Sequence, residues 1–469
     1  MIKFGTDGWR ALIARDFTFD NVRVVALAVA RYLNDLKKDD KQPVVVIGYD
    51  TRFLSKEFAT EAALVLASEG IVVHITDSVA STPQVSFHTK QKNADLGVVI
   101  TASHNPPEYN GFKLKATFGG PATPEQVKGV EEYVEKYYQN TPKLDIKEYN
   151  SYVQSNMILE FSAKEEYIEL LMNNIDLDAI NQAGFKVIFD PMHGAGINTI
   201  FDLLPDADEI HGEYNPSFGS VDHPEPIAEC LGELADIIKN SDYDIGIATD
   251  GDADRLGLFD NNGEFVDSHK IFMILLKYLY EEKNQRGVVA KTVSLTSMVD
   301  KYCQKNNIEL LETAVGFKHI AKIMSEQTTL IGGEESGGLS TILHIPERDG
   351  LFNALLVMEV MAKRDKSLKQ LCDELDAEFG AHRFARRDIR VTEELKIQIQ
   401  NACSANPAKL GRFTVNRIQD TDGFKFFVEN GAWLLIRFSG TEPLVRFYAE
   451  AENMELVNEL LDEGMKLKA

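Results

Sequence analysis

Asp250-Gly251-Asp252-Ala253-Asp254-Arg255 places three carboxylates at alternate positions. Repulsion and desolvation oppose their convergence unless positive charge sits among them. Their hard oxygens select Mg²⁺ or Ca²⁺. An EF-hand loop needs Gly at its sixth position and Glu at its twelfth. This chain has Arg255 and Asn261 there, which excludes that motif. Mg²⁺ favours a phosphate among its ligands, so the segment predicts a magnesium site with room for a phosphate oxygen. The plainer alternative is a solvated acidic turn.

Thr101-Ala102-Ser103-His104-Asn105-Pro106 offers a serine beside a histidine, with Lys113 downstream. A serine hydroxyl is a poor nucleophile until a base or a metal activates it. The same letters also read as simple turn chemistry. Gly332-Gly333-Glu334-Glu335-Ser336-Gly337-Gly338 sets paired acids between glycines. Such acids can accept hydrogen bonds from vicinal hydroxyls, as on a sugar, or face water as a flexible turn. In Arg437-Phe438-Ser439-Gly440-Thr441-Glu442-Pro443 the guanidinium can fork onto a phosphate, with Ser439, Thr441 and the Gly440 amide adding donors. The alternative is a hairpin turn carrying a surface arginine.

Each segment follows a strand-like run. Val44–Ile47, Ile71–Ile75, Leu96–Ile100, Phe185–Phe189, Ile245–Ala248, Val288–Ala290, Ile308–Leu311 and Thr329–Ile331 are short apolar runs. Helical patterns separate many of them, such as Val22, Val25, Val29 and Leu33, or Phe58–Leu66 with a stop at Gly70. Another helix is expected after Phe189, ending near Leu204. Continuous apolar strands alternating with helices predict parallel sheets covered on both faces, and ligands there sit at the carboxyl ends of strands. Asp95–Ile100 entering Thr101 and Asp244–Ala248 entering Thr249 are alike, which hints at a repeated α/β unit. The last 85 or so residues alternate in strand fashion at Phe384–Arg390, Phe424–Val428, Trp433–Arg437 and Leu444–Ala449, with helices near Glu393–Cys403 and Met454–Met465. They predict a smaller α+β domain. Polar segments near Gln139–Tyr149 and after Phe379 are the expected linkers.

The chain has 469 residues and a net charge of −24, from 49 basic and 73 acidic side chains. Such a surface disfavours nucleic acid and anionic membranes as partners. A phosphate-binding cleft must then be locally positive. The four cysteines form no CxxC pair. The N-terminus lacks the basic and apolar pattern of a signal peptide, and no apolar run approaches a membrane span. A cytoplasmic location is expected.

The four segments, quoted as they stand, resemble the signature loops of the α-D-phosphohexomutase family in order and approximate spacing. Gly5-Thr6-Asp7-Gly8-Trp9-Arg10 is similar to the family's N-terminus. The match spans essentially the whole chain. It implies three similar α/β units with mixed, mainly parallel sheets and a C-terminal α+β cap around one central cleft. The boundaries are placed at 1–145, 146–256, 257–378 and 379–469. It implies a phosphoenzyme on Ser103, with Mg²⁺ on that phosphoserine, Asp250, Asp252 and Asp254. The phosphate passes to a hexose 1-phosphate, and the hexose 1,6-bisphosphate turns over in place and returns its other phosphate to Ser103. Arg10, Lys113 and Arg255 would offset the charge of the transferring group. Glu334 and Ser336 would read sugar hydroxyls. Arg437, Ser439, Gly440 and Thr441 would hold the phosphate that is not reacting.

Thr313–Lys318, with Gly316 and Lys318, is similar to the specificity loop of glucose- and mannose-type members, and Glu334-Glu335-Ser336 resembles phosphoglucomutases. Glucose is the expected sugar and glucose 1,6-bisphosphate the activator. A phosphomannomutase or dual-specificity mutase is the alternative, and a sugar phosphatase a more distant one. Arg348 stands where some members carry a Lys as candidate acid or base. A guanidinium stays protonated, so His104, Lys113 or His344 is left for proton transfer. The protein is expected to act as a monomer or homodimer.

Overall fold

The apolar runs Val44–Tyr49, Leu96–Ile100 and Ile245–Thr249 are strands buried along almost their whole length. The computed structural model describes residues 2–5, 7–37, 41–438 and 444–467. In the first unit a seven-stranded sheet carries Val44–Tyr49 in parallel between Val72–Thr76 and Leu96–Ile100. Tyr109–Ala116 returns antiparallel to Leu96–Ile100, and Trp9–Leu12 runs antiparallel against it. Ile158–Phe161, past residue 145, pairs in parallel with Val72–Thr76 and so extends this first sheet.

The second and third units repeat the local plan. Ile245–Thr249 runs parallel to Val187–Asp190 and antiparallel to Leu256–Phe259. Thr329–Gly333 runs parallel to Val288–Thr292 and antiparallel to Leu339–Thr341. In all three units the functional loop joins a parallel strand to its antiparallel return strand. The repeat seen in two strand exits thus extends to a third. The last unit is a five-stranded sheet whose neighbouring strands all pair antiparallel, covered by the helices Glu393–Ser404 and Met454–Met465. The chain is therefore an α/β protein of four units facing one cleft.

One expected element is absent. After Val187–Asp190 the chain forms turns and a 3₁₀ turn at Ile200–Asp202, not a helix ending near Leu204. Met192, His193 and Asn198 adopt left-handed backbone (φ 51, 57 and 58°). A Cβ on Gly194 would lie 2.8 Å from the Gly251 Cα, and the Ala195 N–H donates to the Gly251 carbonyl at 2.9 Å. The apolar spacing mimics a helix, but the segment is shaped by its contact with the aspartate loop.

The cores divide unevenly. The first unit has its own core, whereas the second and third share one that runs from Tyr167 to Leu375. The last unit has a separate core and meets the third through Val293, Trp433, Leu435 and Tyr448. Among the described residues, no helix is long and apolar enough to cross a membrane.

Candidate active site

The strand Leu96–Ile100 delivers Ser103 into left-handed backbone, φ 53°, which costs a non-glycine residue free energy. Arg52 holds it there. This guanidinium is 1% exposed and donates to the carbonyls of Ser103 and Asn105 at 2.6 Å, Pro106 at 2.8 Å and Tyr109 at 3.0 Å. Its Nε faces Asp50 at 3.2 Å. The loop's inward carbonyls are thereby satisfied, and the serine hydroxyl is left at the cleft.

That hydroxyl donates to Asp250 Oδ2 at 2.8 Å. Asp250, Asp252 and Asp254 are buried and offer oxygens within 4.8 Å of one another. The backbone N–H groups of Asp254 and Arg255 donate to Asp250 Oδ1 at 2.9 and 3.1 Å. Thr82, at the N-terminus of the helix Thr82–Gln91, hydrogen-bonds Asp252 through its hydroxyl. Lys113 Nζ reaches Asp252 at 2.7 Å, Asp254 at 3.2 Å and Asp7 at 2.8 Å.

These residues fit a divalent cation. Asp252 Oδ1 and Asp254 Oδ1 are buried without a hydrogen-bond partner, which is costly for a carboxylate. Burial, with Asp252 and Asp254 beside it, pushes Asp250 well above the usual carboxylate range. Asp252 moves the other way: burial raises it, but Lys113 and the Thr82 hydroxyl outweigh that and hold it low. Lys113 thus neutralises one side of the cluster, and the side toward Ser103 still needs positive charge. An all-oxygen donor set matches Mg²⁺.

Cations ring the serine despite the acidic surface. Arg10 donates to Asn105 Oδ1 at 2.8 Å, and Arg255 pairs with Glu225 at 3.1 Å. His104 Nδ1 lies 3.3 Å from Ser103 Oγ. Burial and the fields of Arg255, Arg10 and Lys113 hold this ring well below its ordinary pKa, so it rests neutral. Lys113 is the opposite case: burial would lower it, but Asp252, Asp254 and Asp7 keep it protonated. His344 bonds Asp349 at 2.9 Å and stacks on Phe352 at 4.5 Å, within the cap of the helix Gly350–Arg364.

Across the cleft, Glu334 accepts the Gly316 N–H at 3.2 Å and the Ser336 hydroxyl at 3.1 Å. Arg348 lies 3.6 Å from Glu334, and its Nη2 meets Asp254 at 2.5 Å and Asp7 at 2.6 Å. Lys318 lines a cleft of about 210 Å³ with Asp7, Gly8 and Lys128. Arg437 Nε donates to Asp422 at 2.6 Å. Ser439, Gly440 and Thr441 lie outside the described residues.

This geometry agrees with the comparisons to known proteins. The four models for phosphoglucomutase/phosphomannomutase match in order: alpha/beta/alpha domain I at 1–141, domain II at 165–263, domain III at 267–379 and the C-terminal domain at 389–467. A "Phosphoglucomutase/phosphomannomutase" of Thermococcus kodakarensis is 32% identical over 471 residues, covering 99% of this chain and 98% of the relative. The chain belongs to the phosphoglucomutase/phosphomannomutase family. A phosphoglucosamine mutase of Bacillus velezensis is also similar, 31% identical over 97% of this chain and 96% of its own. The crystal structure of a phosphomannomutase candidate from Thermus Thermophilus superposes with TM-score 0.85 at 32% identity, covering 99% of this chain and 98% of the other. The protein is an enzyme of the phosphohexomutase type, an intramolecular phosphotransferase, and its four units are that family's domains I to IV.

In this phosphoglucomutase/phosphomannomutase family member, the serine and the three aspartates singled out by motif lie together. Motif reading gave no role to Asp7, which bridges Lys113 and Arg348, although Asp7 lies in the quoted N-terminal motif. It missed Arg52 and Thr82 because each acts through contacts distant in sequence. It also missed Glu347, fully buried between Lys115 at 2.8 Å and Ser86 at 2.8 Å, which joins domain III to domain I. Among these, only Asp7 had a local signal.

Proposed function

We propose that this enzyme interconverts hexose 1-phosphate and hexose 6-phosphate through a phosphoserine at Ser103, with glucose as the sugar. The observation that carries the reading is Ser103 Oγ, 2.8 Å from Asp250 Oδ2, in a carboxylate cluster with two unpaired buried oxygens. Asp250, Asp252, Asp254 and a phosphoserine oxygen would hold Mg²⁺, which supplies charge neutralisation to the transferring phosphoryl group.

In the half-reaction that reloads the enzyme, Ser103 Oγ attacks a phosphorus of the bound bisphosphate. The Oγ–P bond forms, the sugar O–P bond breaks, and the freed oxygen becomes a hydroxyl. Once the serine hydroxyl turns from Asp250 to His104 Nδ1, 3.3 Å away, the proton leaving Oγ passes through that ring to the freed sugar oxygen, and the opposite half-reaction runs the same transfer backward. Arg10, Lys113 and Arg255 balance the charge on the equatorial oxygens. Lys113 does this as a fixed cation and not as a base, because three carboxylates hold its proton. Glu334 and Ser336 accept and donate to the sugar hydroxyls, with Gly316 and Arg348 fixing the glutamate. Lys318 and Arg437 receive the distal phosphate, together with Ser439, Gly440 and Thr441. Domain IV, residues 379–469, closes over the cleft and excludes water, which protects the phosphoserine from hydrolysis.

The sugar preference rests on Thr313–Lys318 and on Glu334-Glu335-Ser336. Relatives named for glucose, mannose and glucosamine phosphates make all three sugars the comparison to run. All four cysteines are free, in keeping with a reducing, cytoplasmic setting. The test supplies Mg²⁺ and a trace of glucose 1,6-bisphosphate with glucose 1-phosphate, mannose 1-phosphate or glucosamine 1-phosphate. Formation of each 6-phosphate is followed, with Ser103→Ala as control. Serine-dependent conversion fastest on glucose is the expected result. Release of inorganic phosphate without isomerisation would replace the mutase by a phosphatase. Faster conversion of another sugar would reassign the substrate.

A further inference from the structure

The turn that joins the strands Arg417–Gln419 and Phe424–Phe427 lies against the strand Trp433–Phe438. Gly423 permits this approach: its φ is 85°, and a Cβ there would lie 2.2 Å from the Ile436 carbonyl and 3.0 Å from the Arg437 Cα. The turn brings Asp422 to Arg437. One carboxylate oxygen, Oδ2, accepts from Arg437 Nε at 2.6 Å and from the Val315 N–H at 2.9 Å. The next amide along, Gly316 N–H, donates to Glu334, which accepts the Ser336 hydroxyl. A path of hydrogen bonds joined through the Val315–Gly316 peptide therefore runs from the guanidinium of domain IV to the sugar-facing acid of domain III.

From this path we infer that Asp422 is a positioning residue that couples the phosphate grip of Arg437 to the seating of domain IV on the specificity loop. The inference rests on the reading of Arg437 as a phosphate anchor. A guanidinium recognises phosphate through a planar fork, so its plane must be fixed before it is useful. Asp422 fixes that plane from the Nε edge. The oxygen that does so is also the one that meets the Val315 amide. Opening domain IV removes the amide and alters the carboxylate that orients Arg437. Release of the distal phosphate and release of the sugar-reading loop are then one event. A bisphosphate that must reorient between half-reactions needs this, since a grip that let go of only one end would tether it in its first orientation.

The test is Asp422→Asn, assayed with glucose 1-phosphate and a titration of glucose 1,6-bisphosphate. An asparagine can present an N–H₂ where both donors need an acceptor. The KM for glucose 1-phosphate should rise about 10-fold, the worth of one charge-assisted hydrogen bond. The bisphosphate needed to sustain turnover should rise in step, because a loosened intermediate escapes between half-reactions. A residue that merely braces the turn would lower active enzyme without moving either constant. In an Arg437→Lys background, which has no Nε–H to orient, adding Asp422→Asn should change the KM less than about 2-fold. Unchanged constants in Asp422→Asn, or effects of the two substitutions that multiply, overturn the inference while leaving the mutase reading intact. If Asp422→Asn fails to fold, Asp422→Glu, which keeps the charge and moves the oxygen, is held to the same two constants. A wild-type protein that isomerises none of the hexose phosphates would instead overturn the mutase reading and this inference with it.

Discussion

Ser103, Lys113 and the three aspartates are at most 1% exposed, and they come from domains I and II, with Arg348 of domain III tied to Asp254. Arg437, the proposed phosphate anchor, is built otherwise. Its side chain is 14% exposed and that of Asp422 22%, and both belong to a domain with a separate core. The difference follows from what each must do. Charge neutralisation of a transferring phosphoryl group needs dipoles and charges that do not reorganise. In the proposed cycle, grip on the distal phosphate needs a part that lets go once in every turnover. A reaction that turns its intermediate around is served by a fixed centre facing a separately folded cap.

The comparison breaks first at the fixed centre. Ser103→Ala should remove turnover by about 10⁴-fold or more, since a nucleophile cannot be replaced by its surroundings. Residual isomerisation above that level would move the phosphorylated residue elsewhere. Chelation of divalent ions should abolish activity and added Mg²⁺ should restore it. Asp252→Asn should lower kcat by about 10²–10³-fold, the usual cost of one preorganised electrostatic group. An enzyme indifferent to chelator would exclude the metal reading of the triad. Arg52→Met sharpens the contrast without touching a reacting atom. It leaves the Asp50 carboxylate and several loop carbonyls without their partner, so stability should fall by about 3–5 kcal/mol. The loop then relaxes and kcat drops by about 10²-fold. Normal kcat in a destabilised Arg52→Met would show that the left-handed geometry of Ser103 is held by something other than this guanidinium.

Much of this was legible in the residues, for identifiable reasons. The strands were readable because parallel sheets demand continuous apolar runs, and Leu96–Ile100 appears as read. The loops proposed to carry the chemistry were readable because their types are local and unusual: alternate aspartates, a serine after a strand, acids between glycines. Arg52 was not, because Asp50-Thr51-Arg52-Phe53 reads as a polar turn until the serine loop folds over it. Asp422 was hidden the same way, in Asp420-Thr421-Asp422-Gly423, an ordinary turn sequence. The segment after Asp190 misled in the other direction, since its helix-like spacing is overruled by packing against Gly251. Sequence marks groups with distinctive chemistry, and long-range contacts supply the groups that hold them.

The smallest expected effect lies at the joint between the two regions. Lys425, 2% exposed, donates through Nζ to the Val293 carbonyl of domain III at 2.6 Å and lies 4.0 Å from the Trp433 ring centroid. Burial and then Lys291 lower its pKa from 10.5 to about 8, against the opposing pull of Glu312, Asp300 and Glu450. The folded value lies below the unfolded one. Between pH 8 and 10.5 the unfolded chain therefore binds more protons, and stability rises with pH across that window and is lost again as pH falls back toward 8. Lys425→Met removes this titration while keeping most of the apolar stem. The local stability of domain IV, read by hydrogen exchange in Phe424–Phe427 and Trp433–Phe438, should differ between wild type and variant in a pH-dependent way. The wild type should gain on the variant by on the order of 1–3 kcal/mol across the window. Other titrating groups cancel in that difference. A flat difference would mean that Lys425 is not the buried cation at the joint, and that domain IV is seated on domain III by its apolar contacts alone.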